Sequence, residues 1–228
     1  MRMLILGRGK TGRVVAEVAR ERGHSVQVLD ARENQDAGSL TPPSLASFDV
    51  ILDFTTPEAV VPNLRACLAT GARVVVGTTG WYEHLADMRS LALRKDAGLL
   101  YSANFSFGVQ MLYQVAKLLG NEAEGYTFQI DETHHAEKVD SPSGTALTLQ
   151  KVLASTTHGS HATITAHRVQ DAIGTHRLEV FTADERMVVE HQALSRRSFA
   201  FGAVRAAEWL SRRTGCYDFQ DVFQEILR

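Results

Sequence analysis

Short apolar runs and amphipathic stretches alternate through the first hundred residues. The runs MLILG (3–7), SVQVLD (25–30), DVILDFT (49–55), RVVVGTT (73–79) and GLLYSAN (98–104) are rich in Val, Ile and Leu and end on Gly, Asp, Thr or Asn. Being continuous rather than alternating, they predict strands buried on both faces of a parallel sheet. Between them, TGRVVAEVARERG, PEAVVPNLRACLATG and YEHLADMRSLALRKDAG place apolar residues three and four apart, the period of a helix with one buried face. Strand and helix in strict succession predict right-handed crossovers and a doubly wound, Rossmann-type α/β domain over residues 1–103. The stretch ARENQDAGSLTPPSLASF (31–48) reads as a loop with room for one short helix.

After Asn104 the pattern changes. A helical stretch, FGVQMLYQVAKLLG, is followed by a strand, YTFQIDETHH, and a second helix, TALTLQKVLAS. Three strand-like runs then come in a row, ATITAHRV, HRLEVFTA and RMVVEHQAL, the last two separated by a turn at Asp184-Glu185. Consecutive strands predict a mixed or antiparallel sheet, hence a second, α+β domain over 104–197. The helical segments of 198–228 are expected to pack back on the first domain. Apolar residues at alternate positions of the three late strands would line a face that, in a monomer, is left to water. That arrangement predicts a homo-oligomer built through this sheet.

Composition narrows the function. Lys and Arg number 24 and Asp and Glu 26, for a net charge of −2, which argues against nucleic-acid binding by bulk charge. The two cysteines, Cys67 and Cys216, have no CxxC spacing, so neither a disulfide scaffold nor a thiolate zinc site is expected. The first apolar run breaks into glycine after four residues, too short for a signal-peptide core, and no run is long enough for a membrane span. The expectation is a cytoplasmic protein with no membrane or nucleic-acid partner.

Two segments carry chemistry. Gly7-Arg8-Gly9-Lys10-Thr11-Gly12 is GxGxxG between a strand and a helix, where glycines admit a pyrophosphate to the helix N-terminus. Asp30, at the end of the next strand, is placed to hold ribose hydroxyls, and Arg32 is either a partner for a 2′-phosphate or a solvated surface charge. The turns Phe54-Thr55-Thr56-Pro57 and Gly77-Thr78-Thr79-Gly80 fall at the carboxyl edge of the same sheet, where ligands bind in open α/β folds. The second segment is THHAEKVDSPSGTA, residues 133–146. Adjacent strand residues face opposite ways, so His134 and His135 would not chelate one ion; HExxH is absent, and no metal is expected. The stretch from Pro142 through Ser143, Gly144 and Thr145 opens a helix whose amides form an anion site, Lys138 adds positive charge, and a histidine can give or take a proton. The combination points to an anionic substrate, hydride transfer from NADH or NADPH, and protonation.

The signature Glu-x-His-His-x-x-Lys-x-Asp-x-Pro-Ser-Gly-Thr, here Glu132 to Thr145 without a gap, resembles that of the dihydrodipicolinate reductase (4-hydroxy-tetrahydrodipicolinate reductase) family. Further matches are DFTTPEA from Asp53, GTTGW from Gly77, SANFSFGV from Ser102 and SRRSFAFGAVRAAEWL from Ser195. The resemblance implies reduction of a cyclic unsaturated dicarboxylate to tetrahydrodipicolinate on the diaminopimelate route to lysine. It implies His134 as proton donor, assisted by Lys138, with His135, Ser143, Gly144, Thr145 and Arg196 binding substrate. Gly7, Gly12, Asp30, Phe54, Gly77, Thr79, Ala103 and Phe105 would line the cofactor site beside Gly9, Lys10, Thr11 and Arg32, and a homotetramer is implied, with a dimer as the alternative. The chain departs from the family in a first glycine interval one residue shorter and in VQDAIGT (169–175), which replaces a longer glycine-rich excursion. A related amino- or imino-acid dehydrogenase and a non-catalytic nucleotide sensor are the competing readings; the first lacks reason to share the substrate segment, the second to keep a proton donor.

Overall fold

All five early apolar runs are strands, each ending slightly sooner than the run itself because the terminal Gly, Asp and Thr residues form the turns. The computed structural model describes residues 1–136, 141–159, 162–170 and 172–228. In chain order the elements are β1 (Arg2–Leu6), α1 (Lys10–Glu21), β2 (Ser25–Leu29), α2 (Pro42–Leu45), β3 (Val50–Asp53), α3 (Pro57–Ala69), β4 (Arg73–Val76), α4 (Leu85–Arg94) and β5 (Gly98–Tyr101). They continue with α5 (Phe107–Glu122), β6 (Thr127–His134), α6 (Gly144–Ala154), β7 (Thr163–Arg168), β8 (Thr175–Phe181), β9 (Arg186–Gln192), α7 (Arg197–Leu210), β10 (Gly215–Asp218) and α8 (Phe219–Leu227). The chain divides into two units, Met1–Ser106 with Arg197–Arg228, and Phe107–Arg196.

The first unit is a six-stranded sheet in the order β10-β5-β4-β3-β1-β2. Every pairing is parallel. The central strands β3 and β5 are buried at every residue, whereas β2, at an edge, is exposed or half-exposed throughout, which is why its run SVQVL carries polar residues. Leu6, Ile51, Val60, Leu64, Val74, Met88 and Leu99 belong to one apolar core. Helix α7 packs on α1 and on β3, β4 and β5. Its run of small residues follows from that close approach: a Cβ on Gly202 would fall 1.8 Å from the Phe105 carbonyl oxygen. Strand β10, Gly-Cys-Tyr-Asp, has no apolar run, and it completes the sheet edge beside β5 without a signal that periodicity could detect.

The second unit is a four-stranded sheet, β7-β6-β8-β9. Strands β6 and β7 run parallel around the crossover helix α6, and the remaining pairs are antiparallel, so the sheet is mixed. Strand β6 alternates strictly, burying Phe128, Ile130, Glu132 and His134. Phe128, Ile130, Leu178 and Val180 pack there with Leu112 and Tyr113 of α5 and Leu149 and Leu153 of α6. This corrects the expectation of an apolar open face. The alternate apolar positions serve the helices, and the opposite phase carries Gln129, Asp131, Thr133, Thr163, Thr165, Arg177 and Glu179, with Phe181 and Val188 as apolar exceptions.

Candidate active site

In the first unit the three glycines do different work. Gly7 has φ +102°, and a Cβ there would lie 2.3 Å from the Phe54 carbonyl oxygen. A Cβ on Gly12 would lie 2.1 Å from the Gly7 carbonyl oxygen. Both are required by backbone packing between the loop, α1 and β3. Gly9 is different: a Cβ there would meet nothing within 4 Å, and it starts α1 with no side-chain cap. An exposed glycine over an uncapped helix start is the cradle a pyrophosphate needs, so the loop fits a dinucleotide. Lys10 and Thr11 form the first turn above it.

Asp30 follows β2 and accepts the backbone N–H groups of Arg32 (2.9 Å) and Glu33 (3.1 Å). The Glu33 amide is the larger influence, and with Arg32 and the Arg8 guanidinium it holds the Asp30 carboxyl below its usual range. Arg8 lies 3.1 Å from Asp30 and 3.1 Å from Glu33. It occupies a variable position of the glycine motif, so the motif gave no reason to single it out. The Arg32 side chain is exposed.

The turns after β3 and β4 are joined by Asp53, another residue that motif reading passed over. It is fully buried and accepts from the Thr55 amide (3.0 Å), Thr55 Oγ1 (2.6 Å), Asn63 Nδ2 (2.9 Å) and Thr78 Oγ1 (2.8 Å). Its position at the end of an all-apolar strand, followed by two threonines, was the available signal. Gly77 is a glycine because the Phe54 ring lies over it, with Cε1 2.1 Å from where a Cβ would be. Thr79 and Ala103 are exposed, whereas Phe105 is 2% exposed and packs at a tilt against Phe219, ring centroids 4.9 Å apart, so its ring supports the loop from beneath.

In the second unit His134 ends β6 and is 7% exposed. The inward phase set by Phe128 and Ile130 runs on through Glu132 to His134, a period-two pattern already present in the sequence. Its Nδ1 lies 2.7 Å from Glu132 Oε2, a close ion-pair contact without the alignment of a hydrogen bond. Glu132 is fully buried, and its Oε1 accepts from the Ser143 amide (3.0 Å) and from both terminal nitrogens of Arg168 (3.2 Å each). Burial raises the Glu132 pKa, but the Ser143 donors, His134 and Arg168 outweigh it, and the carboxyl stays below its ordinary value. Ser143 also caps α6, accepting from the Ala146 amide, and its Oγ lies 3.3 Å from His176 Nε2. Gly144 and Thr145 form the first turn of α6, with Thr145 buried and its carbonyl accepting from the Tyr113 hydroxyl. A Cβ on Gly174 would lie 3.0 Å from His134 Nε2.

The structure thus brings His134, Ser143, Gly144 and Thr145 together with Glu132, Arg168, Gly174 and His176. Glu132 faces His176 in the β6–β8 register, and His134 faces Arg168 in the β6–β7 register, pairings between strands that local motif reading does not reach. Glu132, His134 and His176 place ligating atoms within 4.8 Å of one another. The Arg168 guanidinium already sits on the carboxylate that a cation would need. His135 follows the strand and is half-buried, and Arg196 is half-buried at the last residue of the unit. Lys138 lies outside the described residues.

Comparison with known proteins decides between the readings. The dihydrodipicolinate reductase N-terminus model matches residues 1–105 and the C-terminus model residues 108–223. The chain belongs to the dihydrodipicolinate reductase family. The 4-hydroxy-tetrahydrodipicolinate reductase of Christiangramia forsetii is 32% identical over 244 residues, covering 100% of both chains. That of Natronomonas pharaonis is 35% identical, covering 97% of this chain and 99% of its own. The fold is that of dipicolinate-bound dihydrodipicolinate reductase from Paenisporosarcina sp. TG-14, with a TM-score of 0.78 at 23% identity over 97% and 99% of the two chains. Within the family's two parts, the glycine loop falls in the N-terminal match and the Glu132–His134 cluster in the C-terminal one.

A methyl group at residue 174 is the sharpest steric probe of this cluster. Gly174→Ala should crowd His134 Nε2 and lower reductase turnover by roughly tenfold to a hundredfold, the usual effect of a small misplacement of a reacting group. The KM for nicotinamide cofactor should be unchanged. Steady-state kinetics check this, and unchanged turnover would show that Nε2 is not the reacting edge.

Proposed function

We infer that the protein reduces 4-hydroxy-tetrahydrodipicolinate to tetrahydrodipicolinate with NADH or NADPH, the reductive step of the diaminopimelate route to lysine. The observation that carries this reading is the match along essentially the whole chain to reductases of that name, with the segment from Glu132 to Thr145 intact. When bound, the nicotinamide supplies a hydride; with one proton the 4-hydroxyl leaves as water. Gly7, Gly9, Lys10, Thr11 and Gly12 hold the pyrophosphate at the start of α1, and Asp30 holds the ribose. Phe54, Gly77, Thr79, Ala103 and Phe105 border the nicotinamide end. The amides of Ser143, Gly144 and Thr145, at the positive end of α6, bind a substrate carboxylate together with Lys138, His135 and Arg196. His134 gives the proton.

We place the protein in the cytoplasm, the site of reduced-nicotinamide biosynthesis, in keeping with its two free cysteines, Cys67 and Cys216. No helix among the described residues is long and apolar enough to cross a membrane. We also propose a homo-oligomer, a tetramer first and a dimer second, through the open face of the β7-β6-β8-β9 sheet. Because that face is polar, its contacts would be hydrogen bonds and ion pairs more than apolar packing.

Substrate generated in place from pyruvate and aspartate semialdehyde by the preceding synthase should be consumed with loss of reduced-nicotinamide absorbance. His134→Gln should bind cofactor normally and turn over roughly a hundredfold more slowly, the worth of a positioned proton donor. Wild-type rates in that variant would sink the assignment of the donor. Arg32→Ala should raise the KM for NADPH more than that for NADH; equal changes would leave Arg32 a surface charge. Light scattering at micromolar concentration should give about four times the 25.1 kDa chain mass. A stable species at the mass of one chain would refute the interface.

A further inference from the structure

We propose that Glu132 is a positioning residue for proton transfer, fixing which nitrogen of His134 gives the proton. The proposal rests on the reading of His134 as proton donor and extends it to the residue behind the donor. Three features of the geometry carry it. Glu132 is fully buried, so its charge acts on neighbours with little screening from water. Its two oxygens have separate duties: Oε1 receives the Ser143 amide and the Arg168 guanidinium, and Oε2 lies 2.7 Å from His134 Nδ1. At the other edge of the ring, Gly174 leaves room beside Nε2 that a methyl group would take.

The consequence is a division of labour between the ring nitrogens. A carboxylate only accepts hydrogen bonds, so Oε2 favours a proton on Nδ1 in every state of the ring. The imidazolium then carries its second proton on Nε2, beside the space at Gly174, and that proton is the one transferred. After transfer the neutral ring keeps Nδ1–H against Glu132, ready to be reprotonated at Nε2. Among the described residues, the charged and titratable groups around the pair are Arg168 from β7 and His176 from β8, with His191 of β9 beyond His176, its ring centroid 6.5 Å away. Tyr113 of α5 directs its hydroxyl to the Thr145 carbonyl. Of these, Arg168 opposes a positive His134, and the Glu132 charge offsets it.

Glu132→Gln tests the idea with little change of shape. The Ser143 amide and Arg168 only donate, so they fix the new amide's oxygen in the Oε1 position, and its NH2 group then faces His134 Nδ1. A donor there forces Nδ1 to accept, moves the ring proton to Nε2 and disfavours the imidazolium. Three results are expected together. The turnover number falls at least tenfold, while KM for substrate and for cofactor change by less than about threefold. The high-pH limb of kcat, where a required acid loses its proton, moves to lower pH by one unit or more, because an attractive negative charge has been removed. Ring 15N shifts of labelled protein show the neutral His134 protonated on Nδ1 in the wild type and on Nε2 in the variant. Glu132→Asp, which keeps the charge, should restore the position of the pH limb even if the rate stays low. A kcat loss with an unmoved pH limb, or the same ring tautomer in wild type and Glu132→Gln, overturns the proposal. The 15N measurement needs no turnover, so it reads Glu132 separately from any failure of the assigned reaction.

Discussion

A carboxylate withdrawn from water must be given donors, and both units are organised around meeting that requirement. Asp53 in the first unit and Glu132 in the second are both fully buried. Asp53 ends an otherwise apolar strand, Glu132 stands on the inward phase of the alternating strand β6, and each gathers donors from separate segments. Asp53 ties the turns after β3 and β4 to α3 through Thr55, Thr78 and Asn63. Glu132 ties β6 to the start of α6 through Ser143 and to β7 through Arg168. Removing one partner of such a set leaves an unpaired charge in a low-dielectric interior, far costlier than losing a surface contact. The carboxylates therefore fix the turns after β3 and β4 and the start of α6 from the buried side.

The fold was largely legible from hydrophobic period. Continuous runs gave the parallel strands, and alternation gave β6, β8 and β9, because burial on two faces or one leaves different marks. Two things were not legible. Strand β10 has four half-buried residues and owes its place to the free edge of β5, a tertiary fact. The open face of the second sheet was read as apolar because alternation shows that one face is buried but not what buries it. Helices α5 and α6 do so within the same unit.

The site was legible where residues lie close in sequence and obscure where the sheet brings them together. The glycine loop and the segment from Glu132 to Thr145 are contiguous, so their chemistry could be argued from spacing. Arg168, Gly174 and His176 enter through strand pairing and through the short link between β7 and β8. His134 is the instructive case. Its residue type suggested a proton donor, and the alternation of Phe128, Ile130 and Glu132 places it inside. A buried donor with a buried carboxylate behind it is better insulated from bulk water than an exposed one, which strengthens its electrostatic coupling.

The first unit is discontinuous in sequence, and this bears on how the protein is made. During synthesis the first 106 residues emerge with β1 to β5 complete but without α7, the helix that packs on β3, β4 and β5, and without β10 at the sheet edge. The second unit, residues 107–196, emerges next as an unbroken stretch and can close its own core first. The nucleotide-binding half is thus the earlier to appear and the later to finish. Until residue 210 is out, its apolar strands stand open on one side, the kind of surface that aggregates in partly folded chains. Because residues 107–196 interrupt the first unit in sequence, its sheet is sealed only by the residues that follow that interruption.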